Sequence, residues 1–147
     1  ALFETKWGKV GALICFDSIY EQLAIDSVRD GAGLMVISSN DSWFYDSAAV
    51  RQHLYQAQLR AIETGRTYVR AANTGISDVI LWDGTSTAQI GALVDGWEVR
   101  PVSFRTSRTL YSYIGNLFVY LCIAFALVAP GAELALFVMK KKKPKTA

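Results

Sequence analysis

The sequence predicts an α/β domain followed by one membrane-spanning helix near the carboxyl terminus. In the first half of the chain, short continuous apolar runs alternate with segments of helical periodicity. A 23-residue apolar run then precedes a lysine-rich end. The composition agrees, because 52% of the 147 residues are hydrophobic and the mean hydropathy of +0.22 is above the usual range of soluble domains.

The first part of the domain is expected to be a strand–helix–strand unit followed by a longer helix. Residues 9–16 and 34–39 are continuous apolar runs, typical of strands buried on both faces. Residues 19–29 have helical periodicity, so the two strands should be parallel. The predicted inward residues of this helix are Ile19, Leu23 and Val28. The next helix should cover residues 46–64 and bury a stripe formed by Val50, Leu54, Ala57 and Ala61.

The later part of the domain is expected to form an antiparallel meander. Residues 68–72, 78–82, 88–94 and 97–102 have the composition of strands. Asp-Gly pairs at residues 83–84 and 95–96 would supply the turns between the last three strands. Six strands and two helices make an incomplete sandwich with one exposed sheet face, so we expect further sequence to precede residue 1.

The apolar run at residues 117–139 predicts a transmembrane helix, since its length of about 35 Å is sufficient to cross a hydrocarbon core. Five lysines occupy the last eight residues, against Arg105 and Arg108 ahead of the run. The positive-inside rule then places the carboxyl terminus in the cytoplasm and residues 1–112 on the other side. The predicted domains are residues 1–112, 113–139 and 140–147. A buried core helix and a nuclear or nucleic-acid-binding lysine patch are the alternative interpretations.

Cys15, at the end of the first predicted strand, is the candidate nucleophile. Ser18 and Glu21 form a capping-box pattern that would begin a helix close to the thiol and favour the reactive thiolate. A buried structural cysteine is the alternative. Cys122 lies in the predicted span, so we expect no disulfide. His53, the only histidine, is a candidate base, but we expect the base to be a carboxylate outside this chain.

Two further stretches have unusual polar composition. Residues 38–47, SSNDSWFYDS, follow a buried strand, and the ends of such strands form binding sites in α/β folds. Asn40 and Trp43 are therefore candidate site residues; alternatively, Asn40 and Asp41 bind their own backbone and Trp43 fills a gap. In residues 60–77 we expect a structural ion-pair network, formed by Arg60, Glu63 and Arg66.

Four stretches together resemble the carbon–nitrogen hydrolase (nitrilase) superfamily and, within it, the apolipoprotein N-acyltransferase family. They read GALICFDSIYEQL, GAGLMVISSNDSWF, QHLYQAQLRAIETGR and VRAANTGISDVI, in the family's order and spacing. TLYSYIGN ahead of the final apolar run agrees as well. The resemblance implies a four-layer α-β-β-α sandwich. It also implies a periplasmic catalytic domain on the bacterial inner membrane.

The resemblance further implies a Glu–Lys–Cys triad in which Cys15 is the nucleophile. In this family the cysteine takes an acyl chain from a phospholipid as a thioester, and the N-terminal amine of a diacylated apolipoprotein then attacks it. Membrane lipid, the phospholipid donor and the apolipoprotein acceptor are the implied partners. No cofactor, metal ion or nucleic acid is implied. The glutamate and the lysine would both precede residue 1.

Phe16, Asp17, Asn40 and Trp43 are expected to line the site or to form the oxyanion hole. Phe16 replaces the family's usual tyrosine, leaving the backbone N–H but no phenol hydroxyl. Asp17 stands where the family usually has glutamate, and Tyr45 where it usually has glycine. Trp43 matches a residue near the lipid entrance of the family, where it would form a wall or gate.

Two other functions fit the same sequence. A membrane-tethered amidase of the superfamily would pass the acyl group to water instead of to an amine. An inactive fragment or binding module is the third interpretation, because the other triad residues are expected outside the chain.

Overall fold

A five-stranded mixed sheet with two helices on one face forms the first part of the chain. The computed structural model describes the backbone of residues 1–142 and the side chains of residues 1–131. The chain divides into two compact units, Ala1–Tyr113 and Ile114–Ala147. In chain order the elements are β1 (Leu2–Thr5), β2 (Gly8–Ile14), α1 (Glu21–Arg29), β3 (Ala32–Asn40), α2 (Ala48–Thr64), β4 (Tyr68–Asn73), β5 (Asp78–Ile80), α3 (Leu110–Ile114) and α4 (Leu117–Lys142), with 3₁₀ helices at Cys15–Ile19 and Ser42–Phe44.

The strands lie in the order β1-β2-β3-β4-β5. β2, β3 and β4 are parallel, whereas β1 and β5 pair antiparallel with β2 and β4 at the two edges. The predicted parallel pairing of the first two apolar runs is therefore confirmed, as is the antiparallel pairing of residues 68–72 with residues 78–80. The parallel strands matter for function, because their carboxyl ends meet at one edge of the sheet.

The core lies between one face of the sheet and both helices. The predicted stripe of α2 is buried in full, and it packs with Ala24 and Val28 of α1. From the sheet, alternate residues of β2, β3 and β4 point into the same core: Leu13, Met35, Ile37 and Tyr68. On the opposite face, Val36 and Val69 are half-buried and Ile14 is 68% exposed. The expected exposed face is therefore present in part.

The predicted strands over residues 88–94 and 97–102 do not form. Within these ranges only Ile90 forms a bridge, to Ser77 just before β5, and a second isolated bridge joins Ser86, ahead of them, to Ile80. Gly91, Gly96 and Pro101 interrupt the segment, and glycine and proline both weaken strands. The turn at residues 83–84 is present, with Gly84 in the left-handed region at φ 86°. β1 is an additional strand that was not predicted, because it has no long apolar run to mark it.

The first helix differs from its prediction in position and in buried face. α1 begins at Glu21 after a Tyr20 cap, so Ser18 does not cap it and the predicted capping box is absent. Leu23 is 42% exposed, whereas Ala24, Ile25 and Val28 are buried. The shift follows from the 3₁₀ helix at Cys15–Ile19, which occupies the residues where the α-helix was expected to begin.

The second unit contains α4, with Pro130 inside it. Among the residues that the structure describes in full, no helix is both long and apolar enough to cross a membrane. The predicted span at residues 117–139 is therefore not found there. Its side chains at residues 132–139 lie outside the described part, as do residues 143–147 of the basic tail.

Arg66 joins three segments of the first unit. Its buried guanidinium donates to the carbonyl oxygens of Ala32 at 2.7 Å and of Ser107 at 2.5 Å, and also to those of Thr64 and Gly65. The expected ion-pair network includes Arg60 and Glu63, whose Nε and Oε2 lie 2.8 Å apart. Arg66 instead binds backbone carbonyls, so its side chain links α2, β3 and the segment before α3.

Replacing Arg66 with methionine should destabilise the first unit strongly. Arg66→Met keeps much of the aliphatic side chain but removes the donors to three buried carbonyl oxygens and to that of Ser107. We expect the free energy of unfolding to fall by about 3 kcal/mol. Arg51→Met, the same change at an exposed position of α2, should cost less than about 0.5 kcal/mol. Chemical denaturation measures both values. Equal losses in the free energy of unfolding for the two variants would contradict the linking role of Arg66.

Candidate active site

The carboxyl ends of β2, β3 and β4 meet at one edge of the sheet. Ile14 pairs with Ser38, and Asn40 pairs with Asn73. Cys15 follows Ile14 directly, so it lies beside the ends of β3 and β4. The buried strands thus bring the candidate nucleophile and Asn40 to the same edge, where α/β folds form their sites.

Cys15 begins a 3₁₀ helix in an unusual backbone conformation. Its φ of +51° is in the left-handed region, which residues other than glycine seldom adopt. The Asp17 carboxylate accepts a hydrogen bond from the Ile14 N–H at 3.0 Å, and the Ser18 hydroxyl donates to the Cys15 carbonyl oxygen at 2.8 Å. The thiol is free and half-buried. A sharp, strained turn at the end of a strand is a common way to present a nucleophile.

The other predicted site residues take different positions. The Phe16 ring is 51% exposed and stacks on His53 at 5.6 Å between centroids. Asn40 Oδ1 accepts from the Ser42 N–H and from Asn73 Nδ2, both at 3.2 Å, so the alternative interpretation, a turn bound to its own backbone, applies at Asn40. Trp43 is 82% exposed in the second 3₁₀ helix, and it does not fill a gap.

A buried polar network lies between the sheet and α2, directly behind Cys15. His53 Nδ1 lies 3.0 Å from Asp41 Oδ1, and Arg70 Nη2 donates to Asp41 Oδ2 at 2.6 Å. On its other side, His53 Nε2 lies 3.1 Å from Ser18 Oγ and 3.3 Å from the Cys15 carbonyl oxygen. The network therefore connects β3, α2 and β4 to the backbone of the candidate nucleophile.

Asp41 is the charged centre of this network. Burial alone would raise its pKa, but hydrogen bonds from His53 and Ser39 and the positive charge of Arg70 lower the pKa to about 2. The carboxylate is therefore ionised at neutral pH and can only accept hydrogen bonds. Burial lowers the pKa of Arg70, and the negative charges of Asp41 and of a Cys15 thiolate oppose that shift. The Arg70 guanidinium is consequently within electrostatic range of the candidate nucleophile.

An apolar cavity adjoins the network on the α2 side. Its volume is about 210 Å³, and Phe16, Ile19, Phe44 and His53 contribute to its lining. The three rings pack edge-to-face or stacked, with centroids 5.6 to 6.1 Å apart. Among the described residues, no group of three or more His, Cys, Asp or Glu side chains could hold a metal ion.

The sequence patterns predict neither Arg70 nor the role of Asp41, and His53 is predicted from them only as a candidate base. One signal was available. His53 falls on the buried stripe of α2, one residue from Leu54 and three from Val50, and it is only 4% exposed. A polar residue on an apolar stripe needs a buried partner. The identity of that partner depends on tertiary packing, which periodicity does not give.

Comparison with known proteins gives a consistent result. Residues 1–96 match the carbon–nitrogen hydrolase family. A Gloeobacter violaceus protein named apolipoprotein N-acyltransferase is 42% identical over 125 residues, covering 85% of this chain and 24% of its own length. A Haemophilus ducreyi protein of the same name is 33% identical over 132 residues, covering 86% and 26%. The chain therefore spans about a quarter of the length of these relatives.

The fold has solved counterparts. Saccharomyces cerevisiae Nit3, described as a member of branch 10 of the nitrilase superfamily, has a TM-score of 0.55 at 25% identity. The similarity covers 63% of this chain and 36% of Nit3. Because the family match covers about two thirds of the chain, including the strand end that carries Cys15, this chain belongs to the carbon–nitrogen hydrolase family.

Proposed function

We propose that this chain is part of an apolipoprotein N-acyltransferase in which Cys15 is the nucleophile. The observation that supports this proposal most directly is the 42% identity to a relative of that name over 85% of the chain. The geometry of Cys15 supports it independently. Its thiol is free, half-buried and carried on a strained turn at the carboxyl edge of the parallel strands.

The proposed reaction has two steps. The base takes the proton of the Cys15 thiol, and the thiolate attacks the carbonyl carbon of a phospholipid acyl ester. The ester C–O bond breaks as the thioester forms, and the base returns the proton to the oxygen of the leaving lysophospholipid. The α-amine of a diacylglyceryl-cysteine then attacks the thioester, so that an amide forms, the thiolate leaves and the amine loses a proton. Splitting one difficult transfer into two easier ones is the advantage of covalent catalysis. The glutamate base and the lysine of the triad would come from sequence before residue 1.

Residues beside Cys15 have separate proposed roles. Asp17 accepts a hydrogen bond from the Ile14 N–H, so we assign it to holding the turn. The Phe16 backbone N–H is the proposed oxyanion donor, and Asn40 lies at the same sheet edge. Trp43 is exposed on the loop after β3, where it is available to an apolar chain entering from lipid. No nucleic acid, metal ion or cofactor has a part in this reaction.

The proposed location is the bacterial inner membrane, with the catalytic domain in the periplasm. The largely apolar run of 23 residues at 117–139 has the length of a membrane span. The lysine tail that follows would remain in the cytoplasm. A phospholipid donor and a diacylated acceptor are both membrane-bound, so an enzyme anchored at this surface would meet them without extracting either from the bilayer.

Replacing Cys15 should abolish acyl transfer. In a bacterium depleted of its own N-acyltransferase, the full-length protein containing Cys15→Ala should lower the appearance of the third acyl chain by at least about 10³-fold, because no thioester can form. Mass spectrometry of a lipoprotein N-terminus measures this product. Cys122→Ala, which removes the other cysteine of this chain, should leave the yield unchanged.

Three results would contradict the proposal. Activity that survives Cys15→Ala would exclude this residue as the nucleophile. Free fatty acid release without acylated lipoprotein would favour an amidase-like enzyme that uses water. Acyl transfer by residues 1–147 alone would show that the base and the lysine do not lie upstream.

The proposed topology can be tested with a reporter that folds only in the cytoplasm. Fused after Ala147 in the full-length protein, the reporter should be active, because the lysine tail remains on that side. The matched fusion after Thr109, ahead of the apolar run, should be inactive. Equal activity of the two fusions would contradict a membrane span between these positions.

A further inference from the structure

We propose that His53 is a positioning residue for the nucleophile: it is fixed by Asp41 and holds Ser18 and the carbonyl oxygen of Cys15, so that Cys15 keeps the conformation that presents its thiol. The inference rests on the proposed role of Cys15 and adds a residue to that site. It depends on contacts at both ends of one imidazole ring, which is buried in the middle of the first unit.

The first end of the ring is fixed by Asp41. Ser39 donates to Asp41 Oδ1 and Arg70 to Oδ2, each at 2.6 Å. The backbone of Gly75 closes the remaining side so tightly that an added Cβ would lie 2.7 Å from Asp41 Cγ. The carboxylate therefore has one available position. Because it can only accept, His53 Nδ1 donates to it, and this bond sets the orientation of the ring.

The second end of the ring faces the nucleophile's backbone. Nε2 lies near both Ser18 Oγ and the Cys15 carbonyl oxygen, and the Ser18 hydroxyl donates to that same carbonyl. Nε2 of the ring therefore contacts both oxygen atoms of the turn that carries Cys15. Its contacts hold the backbone.

Cys15 needs such support because of its backbone angles. At φ +51° its β-carbon is crowded, and a residue other than glycine stays in this region only when its surroundings fix it. The direction of its carbonyl group changes with these angles. A return to the extended conformation would turn the carbonyl oxygen away from Ser18 and His53. The two groups that converge on this oxygen therefore select the strained conformation.

Two other roles for His53 predict different behaviour. A general base would have to accept a proton from the thiol, so no residue unable to titrate could replace it. A ring that only fills the core would affect stability and leave the reactivity of each folded thiol unchanged. A positioning ring can be replaced by a neutral donor at the Nε2 position.

The test uses substitutions at His53 and Asp41, singly and together, in the full-length protein. A glutamine amide can supply a donor where Nε2 lies, an asparagine amide reaches only the Nδ1 position, and phenylalanine supplies no donor. Tyr55→Phe, at an exposed position of the same helix, is the matched control for the phenylalanine change. Two quantities are measured. The first is the alkylation rate of Cys15 by iodoacetamide, followed by mass spectrometry of its peptide. The second is kcat and KM for thioester formation per active site.

We expect His53→Phe and His53→Asn to lower both the alkylation rate and kcat by at least about tenfold, with KM within about threefold of wild type. His53→Gln should recover both rates to within about threefold. Asp41→Asn should slow both rates as well, since it releases the first end of the ring. The double variant Asp41→Asn/His53→Phe should be no slower than His53→Phe, because both substitutions break one chain of contacts.

The outcomes separate the interpretations. Equal losses of rate in His53→Gln and His53→Asn would overturn the proposal. A wild-type alkylation rate in His53→Asn would overturn it as well, and this variant keeps the test decisive if His53→Phe does not fold. Additive effects of the Asp41 and His53 changes would also count against it. The alkylation rate reports on Cys15 without any lipid. A protein that shows the expected alkylation pattern but transfers no acyl chain would disprove the proposed function and still support the positioning role.

Discussion

The buried carboxylate of Asp41 is the constraint on which the geometry of the site depends. It lies just after β3 and binds Arg70 of β4 and His53 of α2, so it joins the three elements at the edge where the parallel strands end. Removing one partner from a buried charge pair typically costs about 3–5 kcal/mol. The three elements are therefore strongly held in this arrangement. Cys15 emerges from the neighbouring strand into a position that the network defines.

Periodicity predicted much of the fold because much of it depends on burial alone. The α2 stripe and the two central strands are apolar where they meet the core. The sequence shows this as an apolar stripe on one face of the helix and as continuous apolar runs in the strands. The prediction of strands over residues 88–102 was wrong because strand formation there depends on more than burial. The alternation over these residues resembles a strand, but a strand also needs a neighbour, and this segment forms a single bridge, from Ile90 to Ser77. Local pattern does not reveal whether a partner is available.

The site was predicted in part, and Ser18 shows why the rest was not. Its spacing from Glu21 is that of a capping box, a local motif. In the structure its hydroxyl donates to the Cys15 carbonyl oxygen and contacts His53, 35 residues away. A short polar side chain can serve several local or distant partners, and the choice is made by tertiary packing. The position of Cys15 at a strand end was predictable, whereas the network behind it was not.

The two sides of Cys15 have different character, and this difference constrains the proposed chemistry. On the helix side, His53, Asp41 and Arg70 fill the space with buried, bonded polar groups. On the other side of the sheet, Ile14, Ser38 and Ala71 lie next to one another by register and are exposed. This second side is open to a substrate of the proposed reaction, and the apolar cavity beside Phe16 is another opening near the turn. The two faces of the sheet thus have different roles in the proposed site. The helix-covered face holds the turn of Cys15 in place, and the exposed face leaves the end of its strand accessible.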